Sequence, residues 1–189
     1  NELLSKEVVQ LSLLNSKLIN YEIENKELRE MLKFKESFKH LSLLPANVIN
    51  SNFSFSNQTK IINVGTNDGV VKDLSVIDLN GNLVGKIIYA GSNNSKVQLI
   101  SDNNFSVSIK VGENISIGQF IPKYGKYGYL EGIIKTLDFD PNDIVYTSGH
   151  SEIYPPDIPV AKIISSKKKK NKLFQDVGVE ILTDINNLY

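Results

Sequence analysis

The hydrophobic period of the sequence changes once, near Pro45, and this change divides the chain into two kinds of structure. Residues 1–44 contain no glycine or proline, and their apolar residues recur every three or four positions, which predicts an α-helix. Pro45 ends this helix because the residue before a proline is driven out of the helical region. From Lys60 onward the period is two, so the sequence predicts a mainly β protein with an N-terminal helix.

A heptad pattern runs along the predicted helix when Leu4 is placed at position a. Its a and d positions are apolar except at Glu7 and Asn25, and a buried polar residue such as Asn25 can fix the register of paired helices. We therefore predict a long coiled coil that joins the chain into a homodimer or a higher assembly, with a seam formed by Leu4, Leu11, Leu14, Leu18, Tyr21, Asn25, Leu28 and Leu32. The alternative is an amphipathic helix that packs on its own domain, which would also use Val8 and Val9.

The rest of the chain contains short apolar segments separated by glycine and asparagine turns, a pattern typical of small barrels or a sandwich. We predict strands at residues 61–64, 76–79, 83–88, 96–100, 105–111, 144–147, 158–164 and 177–182. Asn80-Gly81 favours a two-residue type I′ turn, which requires positive φ at both central residues.

Three domains are assigned from this pattern. Residues 1–44 form the coiled-coil helix, and two small β-barrel-like domains follow it. The first barrel combines residues 45–100 with 172–189, because the last strand is expected to return to it. The second barrel comprises residues 101–171.

The stretch 142–164 is expected to form one corner of a barrel. A strand leads into Ser148-Gly149, a bend at Pro155-Pro156 follows, and a second strand begins at Ile158. Glycine supplies positive φ and each proline fixes φ, so the corner should be rigid.

Composition excludes several classes of function. Lysine plus arginine and aspartate plus glutamate both number 21, so no overall field attracts nucleic acid. There is no cysteine and there are only two histidines, His40 and His150, so no metal-ligand cluster or cofactor is predicted. Ser148 and His150 lie two residues apart, but without a protease motif we interpret them as turn residues, and the chain as no enzyme.

Two surface features remain as candidate contacts. Tyr124, Tyr127 and Tyr154 are predicted to bind a protein partner, since tyrosine is enriched at interfaces. The alternative is that Tyr129 fills the core while Tyr124 and Tyr127 only cover a loop, and the same two possibilities are open for Tyr154. The run of lysines from residue 167 to 172 is either a solvated loop or a contact for anionic lipid or an acidic partner.

Three motifs carry a resemblance to a known family. They are VGTNDGVVKDLSVIDLNGNLVGKI, SKVQLISDNNFSVSI, and the corner pattern D-x-V-x-T-S-G followed by Y-P-P-x-I-P-V-A-K-I. In order and spacing they resemble the MreC family of rod-shape-determining proteins over most of residues 61–164. Asp157 and Ala161 stand where that family commonly has glycine.

The resemblance implies a non-enzymatic scaffold in the bacterial periplasm, anchored to the inner membrane by an N-terminal helix. The chain begins at Asn1 rather than methionine, so we expect it to be a fragment that lacks this helix. Such scaffolds self-associate and bind the elongation-specific penicillin-binding transpeptidase and MreD, and indirectly MreB, to direct peptidoglycan synthesis and maintain cell shape. The alternative function is a coiled-coil adaptor whose degenerate protease-like barrel binds peptides or proteins by strand addition.

Overall fold

The computed structural model describes residues 8–21, 23–24, 42–50, 58–112, 116–168 and 170–188. The chain forms two compact units, residues 1–44 and 45–189. Residues 8–21 and 23–24 of the first unit are helical, and the regular structure of the second is mostly strand. The prediction of a mainly β chain with an N-terminal helix is therefore confirmed.

The first half of the β unit is an open antiparallel sheet rather than a closed barrel. Its five strands are ordered β1-β2-β5-β4-β3. Their bounds are β1 Val48–Asn50, β2 Thr59–Ile62, β3 Ser75–Ile77, β4 Leu83–Ala90 and β5 Ser95–Leu99. The sheet buries a small apolar cluster that includes Ile62, Val84, Ile87, Val97 and Leu99. A 3₁₀ turn at Thr66–Asp68 connects β2 to β3.

The second half of the β unit is a closed six-stranded barrel with the order β10-β11-β8-β7-β6-β9. Its strands are β6 Val107–Val111, β7 Ser116–Tyr124, β8 Tyr127–Glu131, β9 Ile144–Thr147, β10 Pro159–Lys167 and β11 Asp176–Ile181. Inward side chains alternate with outward ones along the strands, and those of Ile109, Phe120, Val145, Ile163 and Val179 are at most 1% exposed. The larger core of the chain lies inside this barrel.

The last strand was assigned to the wrong domain. β11 pairs with β10 and β8 and closes the second barrel, so residues 172–182 do not belong to the first one. The barrel needs this strand because β8 and β10 would otherwise be open edges. Only the tail returns to the first sheet, where Ile185 and Leu188 contact its apolar cluster.

The hairpin between β3 and β4 also differs from the prediction. Gly81 has a φ of 87°, but Asn80 does not have a positive φ. The prediction of a type I′ turn was therefore wrong. Asp78 controls this loop instead: its carboxylate accepts hydrogen bonds from the backbone N–H groups of Asn80 and Asn82, each at 2.9 Å. Aspartate commonly accepts hydrogen bonds from the backbone of the residues that follow it, and these bonds stabilise the loop that is observed here.

The corner at 142–164 is a rigid bend, as its sequence predicts. The Thr147 hydroxyl is buried, donates to the carbonyl of Pro155 at 2.6 Å and accepts from the N–H of Ile158 at 2.9 Å. Gly149 has a φ of 74°, and a Cβ there would lie 2.7 Å from the Cβ of Pro156. Glycine is therefore required both by the backbone angle and by the approach of the proline.

Candidate protein-interaction surface

Three tyrosines project from the hairpin formed by β7 and β8. The exposed fractions of Tyr124, Tyr127 and Tyr129 are 85%, 45% and 38%. Tyr127 and Tyr129 share the outer face of β8, because Gly128 and Leu130 between and after them point into the barrel. We call Tyr124, Tyr127 and Tyr129 the tyrosine surface.

The barrel interior explains the glycine in this Tyr-Gly-Tyr strand. A Cβ at Gly128 would lie 2.6 Å from Cε2 of Phe120, whose ring is fully buried. It would also lie 2.7 Å from the backbone oxygen of Ile121. Gly128 thus leaves room for Phe120 on the inner face while its neighbours present tyrosine on the outer face.

The turn between β7 and β8 is fixed by its own backbone conformation and by a hydrogen bond from β11. Gly125 has a φ of 56°, and the carbonyl of Lys126 accepts a hydrogen bond of 2.8 Å from the N–H of Ile181. The Lys126 ammonium lies over the Tyr127 ring, 5.6 Å from its centroid. This cation–π contact and the strand pairing orient the Tyr127 ring before any partner binds.

Charged residues border the tyrosine surface. Glu180 on β11 pairs with Lys126 and, at 3.2 Å, with Lys162. Hydrogen bonds from Lys126 and then Lys162 lower the pKa of Glu180, and the same bond from Glu180 raises the pKa of Lys126. Glu180 and Lys126 therefore stay charged at neutral pH, and their ion pair gives the apolar rings a polar rim of the kind found around protein interfaces.

Tyr129 has an additional partner on its own strand. Its hydroxyl lies 3.3 Å from Oε1 of Glu131. Partial desolvation, with a smaller contribution from Glu131, raises the pKa of Tyr129. The side chain therefore remains a neutral phenol that can donate a hydrogen bond.

Tyr154 is not part of this surface. Its side chain is only 4% exposed and belongs to the larger core, so the prediction that it binds a partner was wrong. The bend at Pro155-Pro156 turns the Tyr154 ring inward against Phe105. Burial, followed by the charge of Asp73, raises the pKa of its hydroxyl.

The described part of the predicted seam is exposed within one chain. Leu11, Leu14, Leu18 and Tyr21 are between 56% and 64% exposed. Leu4, Asn25, Leu28 and Leu32 lie outside the described residues. In the part of the chain that the structure describes, no helix is long and apolar enough to cross a membrane.

Ser148 and His150 lie in the turn after β9. The Ser148 hydroxyl donates to Ser108 Oγ at 2.8 Å, and its oxygen accepts from the backbone N–H of His150 at 3.2 Å. His40 falls outside the described residues. Among the residues with described positions, no three metal-binding side chains cluster.

Sequence reasoning missed two features of this site. The exposure of Tyr129 could have been read from its spacing to Tyr127, since residues two apart in a strand share a face. The pairing of Glu180 with Lys126 had no local signal, because it depends on β11 lying beside β8.

The fold and the surface define a mainly β module, an open sheet followed by a closed six-stranded barrel, that presents an exposed tyrosine patch. The family model for "Rod shape-determining protein MreC, barrel core" matches residues 48–189. The chain belongs to the MreC family.

Curated relatives cover the whole chain. The cell shape-determining protein MreC of Bacillus subtilis is 30% identical, and the match spans 100% of this chain and 70% of that protein. The Listeria monocytogenes protein of the same name is 28% identical over 100% of this chain and 65% of its own length.

Solved structures share the fold. An MreC structure from Listeria monocytogenes has a TM-score of 0.71 at 27% identity and covers 98% of this chain and 90% of its own. The MreC of a complex between penicillin-binding protein PBP2 and MreC from Helicobacter pylori has a TM-score of 0.57 at 15% identity, over 77% of this chain and 86% of that one. At this identity the likeness to the Helicobacter pylori protein concerns the fold alone.

Proposed function

We propose that this chain is a non-enzymatic periplasmic scaffold of the cell-elongation machinery. It binds the elongation-specific penicillin-binding transpeptidase and so directs peptidoglycan synthesis and maintains cell shape. The observation that carries this proposal is the family match over residues 48–189, which includes the complete sheet and the complete barrel. The Helicobacter pylori relative was solved in complex with a penicillin-binding protein, which supports the choice of partner.

The tyrosine surface is the contact that we assign to this partner. Tyr124 is 85% exposed, and the ring of Tyr127 is oriented by Lys126. Tyrosine buries a large area while it loses few rotamers, so rings that are already oriented favour binding. The ion pairs of Glu180 form a polar rim beside them.

Mechanistically, the scaffold shifts its partner towards the active conformation. A ligand shifts a conformational equilibrium only by its difference in affinity for the two states. The scaffold must therefore bind the active transpeptidase more tightly than the inactive form. Activation in turn requires no catalytic group on the scaffold itself.

The function is tested by titrating the folded chain with the periplasmic part of the same organism's elongation transpeptidase. Saturable binding is expected, together with a rise in transpeptidase activity at saturation. No binding by a chain that circular dichroism shows to be folded would contradict the scaffold function.

Self-association through the helix is part of the same proposal. The exposed leucines of the seam would be covered in a coiled coil, and the chain would become a dimer or a higher assembly. The test is the triple variant Leu11→Ala, Leu14→Ala, Leu18→Ala. Its molar mass from light scattering is expected to be that of a monomer at concentrations where the natural chain is associated.

The matched control removes a similar amount of exposed apolar surface away from the seam. It is the triple variant Val9→Ala, Leu13→Ala, Ile19→Ala, whose side chains are between 49% and 61% exposed. This control is expected to keep the assembly. If both triple variants dissociate equally, the seam assignment fails.

Membrane attachment completes the proposal. The family resemblance implies an anchoring helix in the inner membrane, contact with MreD, and an indirect link to MreB. The full-length protein is expected to fractionate with the inner membrane and to be reached by protease from the periplasmic side. Its recovery from the cytoplasm would contradict the localisation.

A further inference from the structure

Exposed apolar side chains lie where the connection between β10 and β11 meets the segment that follows β8. Leu173 and Phe174 are 77% and 50% exposed, and Ile134 is 51% exposed. Ile134 and Phe174 are antiparallel bridge partners, and the N–H of Lys135 donates to the carbonyl of Leu173. The three side chains therefore come from adjoining backbone segments, and we call them the apolar tip.

Lysines adjoin this tip along the same connection. Lys167, Lys170 and Lys172 are exposed, and none of them forms an ion pair with another described residue. Lys168 pairs with Asp138, which neutralises that ammonium. Asp176 lies opposite Lys167 in the strand register and offsets part of the charge. The result is a moderately cationic rim beside the apolar tip.

A buried glutamine holds the tip in place. The Gln175 side chain is 3% exposed, and its Nε2 donates to the carbonyls of Ile134 at 3.0 Å and Leu137 at 2.9 Å. Its Oε1 accepts from the Ser166 hydroxyl at 2.6 Å. Three segments are thus fixed to one another beneath the apolar tip, which is a preorganised feature rather than a loose loop.

We propose that the apolar tip and Lys167, Lys170 and Lys172 bind the surface of an anionic lipid membrane. Apolar side chains with adjoining lysines match the boundary between acyl chains and negatively charged headgroups. Leu173 is 77% exposed, and a side chain that projects so far into solvent fits a lipid surface better than a groove for a partner helix. Because Asp138 and Asp176 offset some charge, both the lysines and the apolar side chains are needed.

The first test is co-sedimentation of the 189-residue chain with vesicles of phosphatidylglycerol and phosphatidylethanolamine. Each lysine near an anionic surface contributes about fivefold, so Lys167→Gln, Lys170→Gln, Lys172→Gln should lose on the order of 100-fold in affinity. Leu173→Ser, Phe174→Ser should also lose at least about tenfold. Vesicles of phosphatidylcholine alone should bind weakly.

Matched controls remove the same number of lysines and two other exposed apolar side chains elsewhere. Lys72→Gln, Lys96→Gln, Lys123→Gln alters three other exposed lysines, and Val71→Ser, Tyr89→Ser alters two side chains that are 57% and 63% exposed. Both controls should bind the anionic vesicles within about twofold of the natural chain. Equal losses in a control and its test variant would overturn the assignment of the lipid contact to this loop.

The second test uses the absence of tryptophan from the sequence. Phe174→Trp introduces a single tryptophan at the tip, and its selectively excited emission should shift to the blue on anionic vesicles. Tyr89→Trp is the matched control and should not shift. Binding without a shift at residue 174 would overturn the proposal.

A soluble polyanion distinguishes lipid from charge alone. Polyphosphate should compete only weakly, because it cannot accommodate Leu173 and Phe174. If polyphosphate binds as tightly as the vesicles and the Leu173→Ser, Phe174→Ser variant keeps full binding, the site recognises polyanions and the lipid proposal is overturned. Circular dichroism must show each variant to be folded.

Discussion

The ring of Tyr154 meets the ring of Phe105 edge to face, with centroids 6.0 Å apart and an angle of 64° between the planes. This contact lies in the core, and the Tyr154 hydroxyl is buried without a hydrogen-bond partner among the described residues. The contact stabilises the barrel corner through area and ring geometry, while the unpaired hydroxyl opposes it.

Tyr154→Phe should therefore leave stability unchanged or raise it by up to about 2 kcal/mol, because it removes a buried unpaired polar group. Tyr154→Ala should lower stability by about 3–5 kcal/mol, because it leaves a cavity beside Phe105. Urea unfolding measures both. A loss of more than about 1 kcal/mol in Tyr154→Phe would show that the hydroxyl makes a favourable bond.

The same hydroxyl gives a pH signature. Its pKa is raised above the ordinary value of 10.0 in the folded chain, so above pH 10 the unfolded state loses the proton first. Stability should then fall with rising pH more steeply in the natural chain than in Tyr154→Phe. Equal slopes for the two proteins between pH 10 and 11 would contradict the burial of this group.

Glu180 should contribute to stability in a pH-dependent way. Its folded pKa is lowered by Lys126 and then by Lys162, so its contribution is complete above the ordinary glutamate pKa of 4.5 and is lost as the pH falls through the folded value. In Glu180→Gln, the free energy of unfolding should therefore fall less steeply as the pH is lowered below 4.5. Asp102→Asn, at a carboxylate outside this network, is the control and should retain the steeper limb.

Asp157 occupies a left-handed backbone position. Its φ is 70°, and its carboxylate pairs with Lys110 while the side chain stays 69% exposed. Asp157→Gly should change stability by less than about 1 kcal/mol, since the strain relieved and the exposed ion pair lost are both small. Asp157→Val should cost about 1–3 kcal/mol, because a branched side chain is strained there. Similar unfolding midpoints for all three proteins would argue against the left-handed corner.

Gly128→Ala should lower stability by about 1–3 kcal/mol, because the new Cβ overlaps Phe120 and a backbone oxygen. Adding Phe120→Leu should recover part of this loss, because the smaller leucine side chain makes room in the barrel interior for the new Cβ of residue 128. Denaturant unfolding of the two single variants and the double variant measures the coupling. Strict additivity would contradict contact between residues 120 and 128.

Local pattern was enough to predict much of the fold. The strand Ile144–Thr147 lies where its apolar run predicts it, because the alternation there is bounded by turn residues. Gly149 and the two prolines predict the rigid corner, since each restricts the backbone by itself. Family membership was predicted from the order of such turns and strands.

Long-range pairing was not predictable from these signals. Nothing local to Val177 or Val179 indicates that β11 pairs with β8, so the sequence could not assign this strand to the second barrel. The prediction that Tyr154 is exposed to a partner was wrong for a related reason. Its ring packs against Phe105, which lies on a segment distant in sequence. An aromatic residue beside a proline bend can face either the core or the solvent.

The central claim is that the tyrosine surface binds the elongation transpeptidase. Its most direct measurement is a calorimetric titration of that enzyme's periplasmic part into the natural chain, into Tyr124→Ala, Tyr127→Ala, Tyr129→Ala, and into Tyr89→Ala as an exposed control. The triple variant should weaken binding by about 30-fold or more, which corresponds to about 2 kcal/mol, while Tyr89→Ala stays within about twofold. Unchanged affinity in the folded triple variant would contradict the assigned surface.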